Sequence, residues 1–299
     1  MISLHRSFFF LLLFCFFQQS GASAQQTTYK TEKSVFYEIS GNGLRKSSWM
    51  FGTMHLLTQR YIDSLPLVMD RFNTCTQVVG EIVLDSNAAP KMLSAALLKE
   101  KNLKDILPEQ VYQKTNDWLK ELSGYDLTLF NTINPMFIQI SLLQMIQSTY
   151  YSDTSGSMLM DDYFQKRGAK EYKEVIGLER IDDQIQALFS QFSIDRQTEL
   201  LTEFVSDKNK SIRELGEMTQ LYRKQQLDDL EKLMYDETYK ENEINVLLYD
   251  RNQKWVEQLP TLMMRAPSFI AVGALHLAGE RGLVNLLRQK GYTVTPYYF

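Results

Sequence analysis

The sequence predicts an α/β (α+β) fold: one β-sheet flanked and capped by helices. Three observations predict it. Six short apolar or alternating runs of strand length punctuate the chain. Between most of them, from roughly residue 90 to 265, the pattern is helical. The arrangement of apolar run, glycine, two residues and histidine occurs twice, as Gly52 to His55 in "SWMFGTMHLL" and Gly273 to His276 in "AVGALHLAGERG". These copies lie near opposite ends of the chain, and one sheet that joins the ends is a more economical reading than two domains.

Taken in order, residues 1–24 read as a secretion signal. Met1 to Arg6 is a basic n-region, Phe8 to Phe17 an apolar run, and Ala22-Ser23-Ala24 a cleavage site. The run is too short to cross a membrane, which takes about 20 residues, and Phe14 before Cys15 does not suit a lipobox. The reading is an exported protein, periplasmic or secreted, that starts near Gln25, has no transmembrane anchor and forms one domain over 25–299. Ser34 to Ile39 and Ser48 to Thr53, separated by Gly41-Asn42-Gly43, predict a hairpin. Gln77 to Leu84, Tyr172 to Leu178, Ser268 to Leu275 and Tyr292 to Tyr297 supply the other strands. Asn134-Pro135 opens an apolar helix that runs to Tyr150, because asparagine caps and proline suits the first helical position. A charged amphipathic region spans Asp195 to about Leu233, and a helix around Leu247 to Leu262 ends before Pro267.

Composition narrows the function. Net charge is −4 and falls by one more when Arg6 leaves with the signal, so no basic patch invites nucleic acid. Loss of Cys15 leaves Cys75 alone, which excludes an intramolecular disulfide and reads as a small buried hydrophobe. With 44% hydrophobic residues the chain must rely on a packed core. No G-x-S-x-G elbow supplies a serine nucleophile.

The histidines carry the chemical signal. A glycine at a strand end lets the backbone turn or approach a neighbour, and a side chain just beyond reaches the crevice where open α/β sheets bind ligands. One such histidine reads as a core or turn residue. Two matched copies, using both histidines left after the signal, point to a metal site completed by a carboxylate. Glu81 suits that place because "VVGEIVL" embeds it in an apolar strand, where an unpaired charge is costly. Glu179, after "VIGL", is the second candidate, with the start of the next helix as its other reading. Arg251 and Asn252 lie within a run of five polar residues and, on pattern alone, read as a solvated helix face.

The segments "WMFGTMHLL", "VVGEIVLD", "MDDYFQKRGAKEYKEVIGLERIDDQI", "YDRNQKWVEQL" and "FIAVGALHLAGERGLVNLLRQKGYTVTPY" resemble, in this order, the TraB/GumN family, which includes the Tiki metalloproteases. The resemblance implies a central mixed sheet surrounded by helices, similar to erythromycin esterase and the haem-binding ChaN proteins. It matches His55, His276 and Glu81 to the family's motif histidines and glutamate, Arg251 and Asn252 to its Arg-Asn pair, Asp161 to an aspartate before a Tyr-containing helix, and Glu179 to its Leu-Glu. The function this implies is a metal-dependent, peptidase-like hydrolase acting on a peptide or small molecule. His55, His276 and a carboxylate would hold Mn²⁺, Co²⁺ or Zn²⁺, with Glu81 as either the third ligand or the base that takes the water's proton; Arg251 would stabilise developing charge, and Asn252 would orient it. The alternatives are a haem- or iron-binding module and a non-catalytic peptide-binding protein.

Overall fold

A computed structural model describes residues 33–151, 158–235 and 239–299. The stretch read as a secretion signal lies outside these residues. Six strands form one mixed sheet: β1 (Phe36–Ser40), β2 (Ser48–Thr53), β3 (Gln77–Gly80), β4 (Glu174–Gly177), β5 (Ser268–Gly273) and β6 (Thr293–Tyr297), in the order β4-β3-β5-β2-β1-β6. The first four in that order run parallel, β1 returns antiparallel to β2, and β6 pairs antiparallel to β1. The expected hairpin is β1 and β2, with Gly41, Asn42 and Gly43 all at positive φ in its turn. The two strands that carry the G-x-x-H elements are direct neighbours, with Thr53 opposite Gly273.

Every residue of β2, β3 and β5 is buried, as befits parallel strands covered on both faces. Phe51, Phe72, Phe164 and Phe269 cluster there in edge-on and tilted contacts, with Phe164 and Phe269 centroids 4.8 Å apart. The outer strands are short, and β6 carries Pro296, a residue compatible with an edge because it lacks the ladder N–H.

Two of the predicted strands end well short of their expected bounds, and the charged region resolves into separate helices. The third strand stops at Gly80 instead of reaching Leu84, because the Gln165 amide takes over the ladder's work, donating to the Ile82 carbonyl at 2.9 Å and accepting from the Leu84 N–H at 2.9 Å. Glu81 therefore lies at a bend just past the strand, not inside it. The fifth strand ends at Gly273 and tightens into a 3₁₀ turn, Ala274–Leu277, that carries His276. The charged region after Asp195 is three helices, Ile194–Ser206, Lys208–Arg223 and Leu227–Met234. Asp207 caps the second, and Gln225, at φ 57°, breaks the chain before the third.

The cap on Asn134 is as expected, accepting from the Phe137 N–H at 2.8 Å, although the helix passes from α into a π segment at Gln147–Tyr151. Another π segment, Asn245–Tyr249, runs directly into the helix Asp250–Arg265. Among the described residues, no helix is long and apolar enough to cross a membrane.

Candidate functional site

The carboxyl ends of all four parallel strands meet at one place. Just past β2 comes His55, past β3 Glu81, past β4 Glu179, and past β5 His276. Gly273 lets them approach: a Cβ there would lie 3.2 Å from His55 Nε2, 3.3 Å from Glu81 Oε1 and 3.5 Å from His276 Cδ2. Gly52 has a packing role instead, since a Cβ on it would sit 2.8 Å from the Ala274 Cα.

His55 is held from the side by helix Met160–Lys170. Phe164 anchors that helix in the aromatic core, and Asp161, one turn earlier on the same face, reaches the ring. Asp161 Oδ2 lies 2.7 Å from His55 Nδ1, while its Oδ1 accepts from the Thr53 hydroxyl at 2.7 Å. With Nδ1 on the carboxylate, Nε2 is the ring nitrogen on the side of Gly273 and Glu81. Burial works against a charge on His55, but the charge and hydrogen bond of Asp161, with help from Glu81, outweigh it and raise the pKa.

His276 is held differently. Its Nδ1 lies 2.7 Å from Asn252 Oδ1, and the Asn252 amide nitrogen donates to the carbonyls of His276 and Arg281, which fixes the orientation of that amide. Nδ1 is therefore the donor, and Nε2 accepts from Arg251 Nη1 at 3.1 Å. Burial, reinforced by the Arg251 charge, drives the His276 pKa down to about 3. Trp255 packs against both residues, 4.4 Å from the imidazole centroid and 4.6 Å from the guanidinium.

Arg251 joins the remaining groups. Its Nε donates to Glu179 Oε2 at 3.0 Å, Nη2 to Glu179 Oε1 at 2.7 Å and Glu81 Oε2 at 2.6 Å, and Nη1 to the Leu247 carbonyl at 2.9 Å as well as to His276. A guanidinium has five N–H donors, and each has a partner here. Glu81 Oε1 accepts from the Gly273 N–H at 2.8 Å. Burial would raise the Glu81 pKa, but Arg251, the two histidines and that N–H together hold it down to about 2. Glu179 moves the other way: burial raises its pKa more than its share of Arg251 lowers it, since one guanidinium cannot neutralise two buried carboxylates.

All the residues singled out in the sequence thus come together. Arg251 and Asn252, 6% and 0% exposed, belong to a buried stripe with Trp255, Val256 and Leu259 rather than to a solvated face. Three members had no signal in the pattern: Thr53, Trp255 and Gln184. Gln184 Nε2 is 3.4 Å from Glu81 Oε2, and its buried Oε1 has no hydrogen-bond partner.

The donor set suits a metal only in part. Each ring has its Nδ1 fixed by an acceptor, as metal-ligating histidines do. Yet Arg251 already occupies Glu81 Oε2 and His276 Nε2, and among the described residues no three His, Cys, Asp or Glu side chains are grouped to hold an ion. As arranged, the site does not fit the expected metal.

Fold and site define a class: an α/β protein with a buried polar centre at the carboxyl edge of a mixed sheet. The chain belongs to the TraB/PrgY/gumN family, whose sequence profile matches residues 35–296. It is similar to two proteins of Danio rerio. Metalloprotease TIKI2 is 24% identical over 83% of this chain and 58% of its own length, and metalloprotease TIKI1 is 23% identical over 83% and 60%. The chain thus spans only about three-fifths of the length of these relatives. No solved structure matches it, so the expected likeness to erythromycin esterase and ChaN rests on the family resemblance alone.

Proposed function

We propose that the protein is an exported, peptidase-like hydrolase whose reaction takes place where the parallel strands end. The observation that carries this reading is the Asp161–His55 pair. An imidazole whose Nδ1 is held by a buried carboxylate, with its Nε2 on the side of Gly273 and Glu81, is suited to take a proton from water and return it to a leaving group. The His55 side chain, 13% exposed, is the member of the centre that solvent reaches most. His276, held neutral, and the Gly273 N–H bound to Glu81 make the rest of the centre rigid.

Similarity to metalloproteases supports a metal-dependent form of this reading, with His55 and His276 as nitrogen donors and Glu81 beside them. With all five donors engaged, Arg251 can neither stabilise a substrate oxyanion nor admit an ion beside His276 until some of its contacts are released.

The test is cleavage of a defined peptide mixture by the purified protein, with EDTA or with added Mn²⁺, Co²⁺ or Zn²⁺, followed by mass spectrometry. Cleavage should be lost in folded His55→Ala. A folded wild type that cleaves no peptide under any of these conditions would remove the reading, and a Soret band in the purified protein would favour haem binding.

A further inference from the structure

We infer that Gln165 is a positioning residue of the strand-end centre: it holds the bend that presents Glu81, from the same helix face on which Asp161 holds His55. Its bearing on the reaction rests on the hydrolase reading above; its bearing on the geometry does not. Asp161, Gln165 and Gly168 follow one another at spacings of four and three along helix Met160–Lys170, which puts them on one face. Gly168 lets that face lie close to the sheet, since a Cβ on it would come within 2.6 Å of Val78 Cγ2 in β3. Phe164 fixes the helix in the aromatic core. The first turn of the helix therefore meets Thr53 and His55 at the end of β2, and the next turn meets the chain just past β3.

A primary amide suits the second contact because a donor and an acceptor are needed together. Gln165 donates to the Ile82 carbonyl and accepts from the Leu84 N–H, at 2.9 Å each, as a neighbouring strand would. A Cβ on Gly80 would lie 2.7 Å from Gln165 Nε2, so the glycine before Glu81 makes room for the amide. Glu81 turns inward between these anchors. Its carbonyl accepts from the Glu179 N–H at 2.9 Å, and its carboxylate accepts from the Gly273 N–H at 2.8 Å and from Arg251 at 2.6 Å. One helix thus sets where both His55 and Glu81 stand, and a change at Gln165 should be felt across the sheet at Gly273.

Amide hydrogen exchange, read residue by residue by NMR on the folded protein, tests this without a substrate. In Gln165→Met the Leu84 N–H loses its acceptor. If the bend places Glu81, the Gly273 N–H should also exchange about tenfold or more faster relative to Ile270 on the same strand, a contrast that a general loss of stability would not produce. Gln165→Glu can still accept from Leu84 but, when ionised, cannot donate to Ile82, so its Gly273 amide should fall between wild type and Gln165→Met. Should Gln165→Met not fold, Gln165→Glu carries the same readout. Faster exchange at Leu84 with Gly273 as in wild type would make Gln165 a substitute for a strand and nothing more, and overturns the inference.

Peptide cleavage on the same preparations reads the consequence. In Gln165→Met, kcat should fall about 10- to 100-fold with little change in KM, because Glu81 is displaced while the rest of the centre stays in place. A loss carried by KM alone overturns the inference. If the Gly273 amide responds but wild type cleaves no peptide, the hydrolase reading fails and the positioning stands.

Discussion

The ends of β2 and β5 carry the same four-residue pattern, glycine, two residues, histidine, yet the two imidazoles sit in opposite electrostatic surroundings. His55 faces the carboxylate of Asp161, and its pKa rises. His276 faces the guanidinium of Arg251 and the amide of Asn252, and its pKa falls to about 3. A repeated motif therefore fixed where two rings would be, while the elements packed against them fixed what each ring could do. In the function proposed above, the first ring exchanges a proton and the second stays neutral and fixed.

The largest expected effect separates the ends by rate. Asp161→Asn keeps the shape beside His55 but removes the charge, so turnover of any cleaved peptide should fall by about 10²- to 10⁴-fold. In an NMR titration the His55 pKa should drop as well. A variant with unchanged turnover would place the proton transfer elsewhere.

A smaller effect is expected at the other end. Asn252→Leu leaves the His276 Nδ1–H and two carbonyls without their partner, which should cost about 1–3 kcal/mol in urea unfolding. The His55 titration should hardly move. If it shifts as far as in Asp161→Asn, the two ends are one coupled unit and the contrast fails.

The smallest effect is a pair of opposite slopes, read from urea midpoints against pH in metal-free buffer. The folded pKa of His276 lies below its ordinary value, so its contribution to stability is full above about 6.5 and is lost as pH falls toward about 3. Glu81, held to about 2, adds a loss of the same sign at lower pH. The folded pKa of His55 is raised, so its contribution is full below about 6.5 and is lost as pH rises through the folded value. His276→Gln should flatten the acid side of the curve and His55→Gln the other side. The same change from both substitutions would mean that the shifts do not belong to these rings.

Much of the centre was legible in the sequence. Gly52 and Gly273 gave it away because a strand-end glycine followed by histidine is a local pattern, and two copies in one chain are hard to attribute to packing. Glu81 was legible as an acid in an apolar run, though its strand was drawn too long, because the Gln165 side chain that replaces the ladder comes from a helix 81 residues later. Arg251 and Asn252 were not legible by pattern. Polar residues in sequence look alike whether they face water or a buried carboxylate, and only resemblance to a family marked them out.

What the sequence determined by itself was local and periodic: the strand runs, the hairpin turn, the Asn134 cap, and the glycines that set histidines just beyond two strand ends. The tertiary structure decided the rest. Strand order put β2 beside β5 and β3 beside β4, so side chains from residues 55, 81, 179 and 276 share one edge of the sheet. It also delivered Asp161 to one ring and Arg251 to the other. The physical reason is that protonation and charge pairing depend on the distance between groups in space and on the water removed from around them, and neither quantity is written in the spacing of residues along a chain.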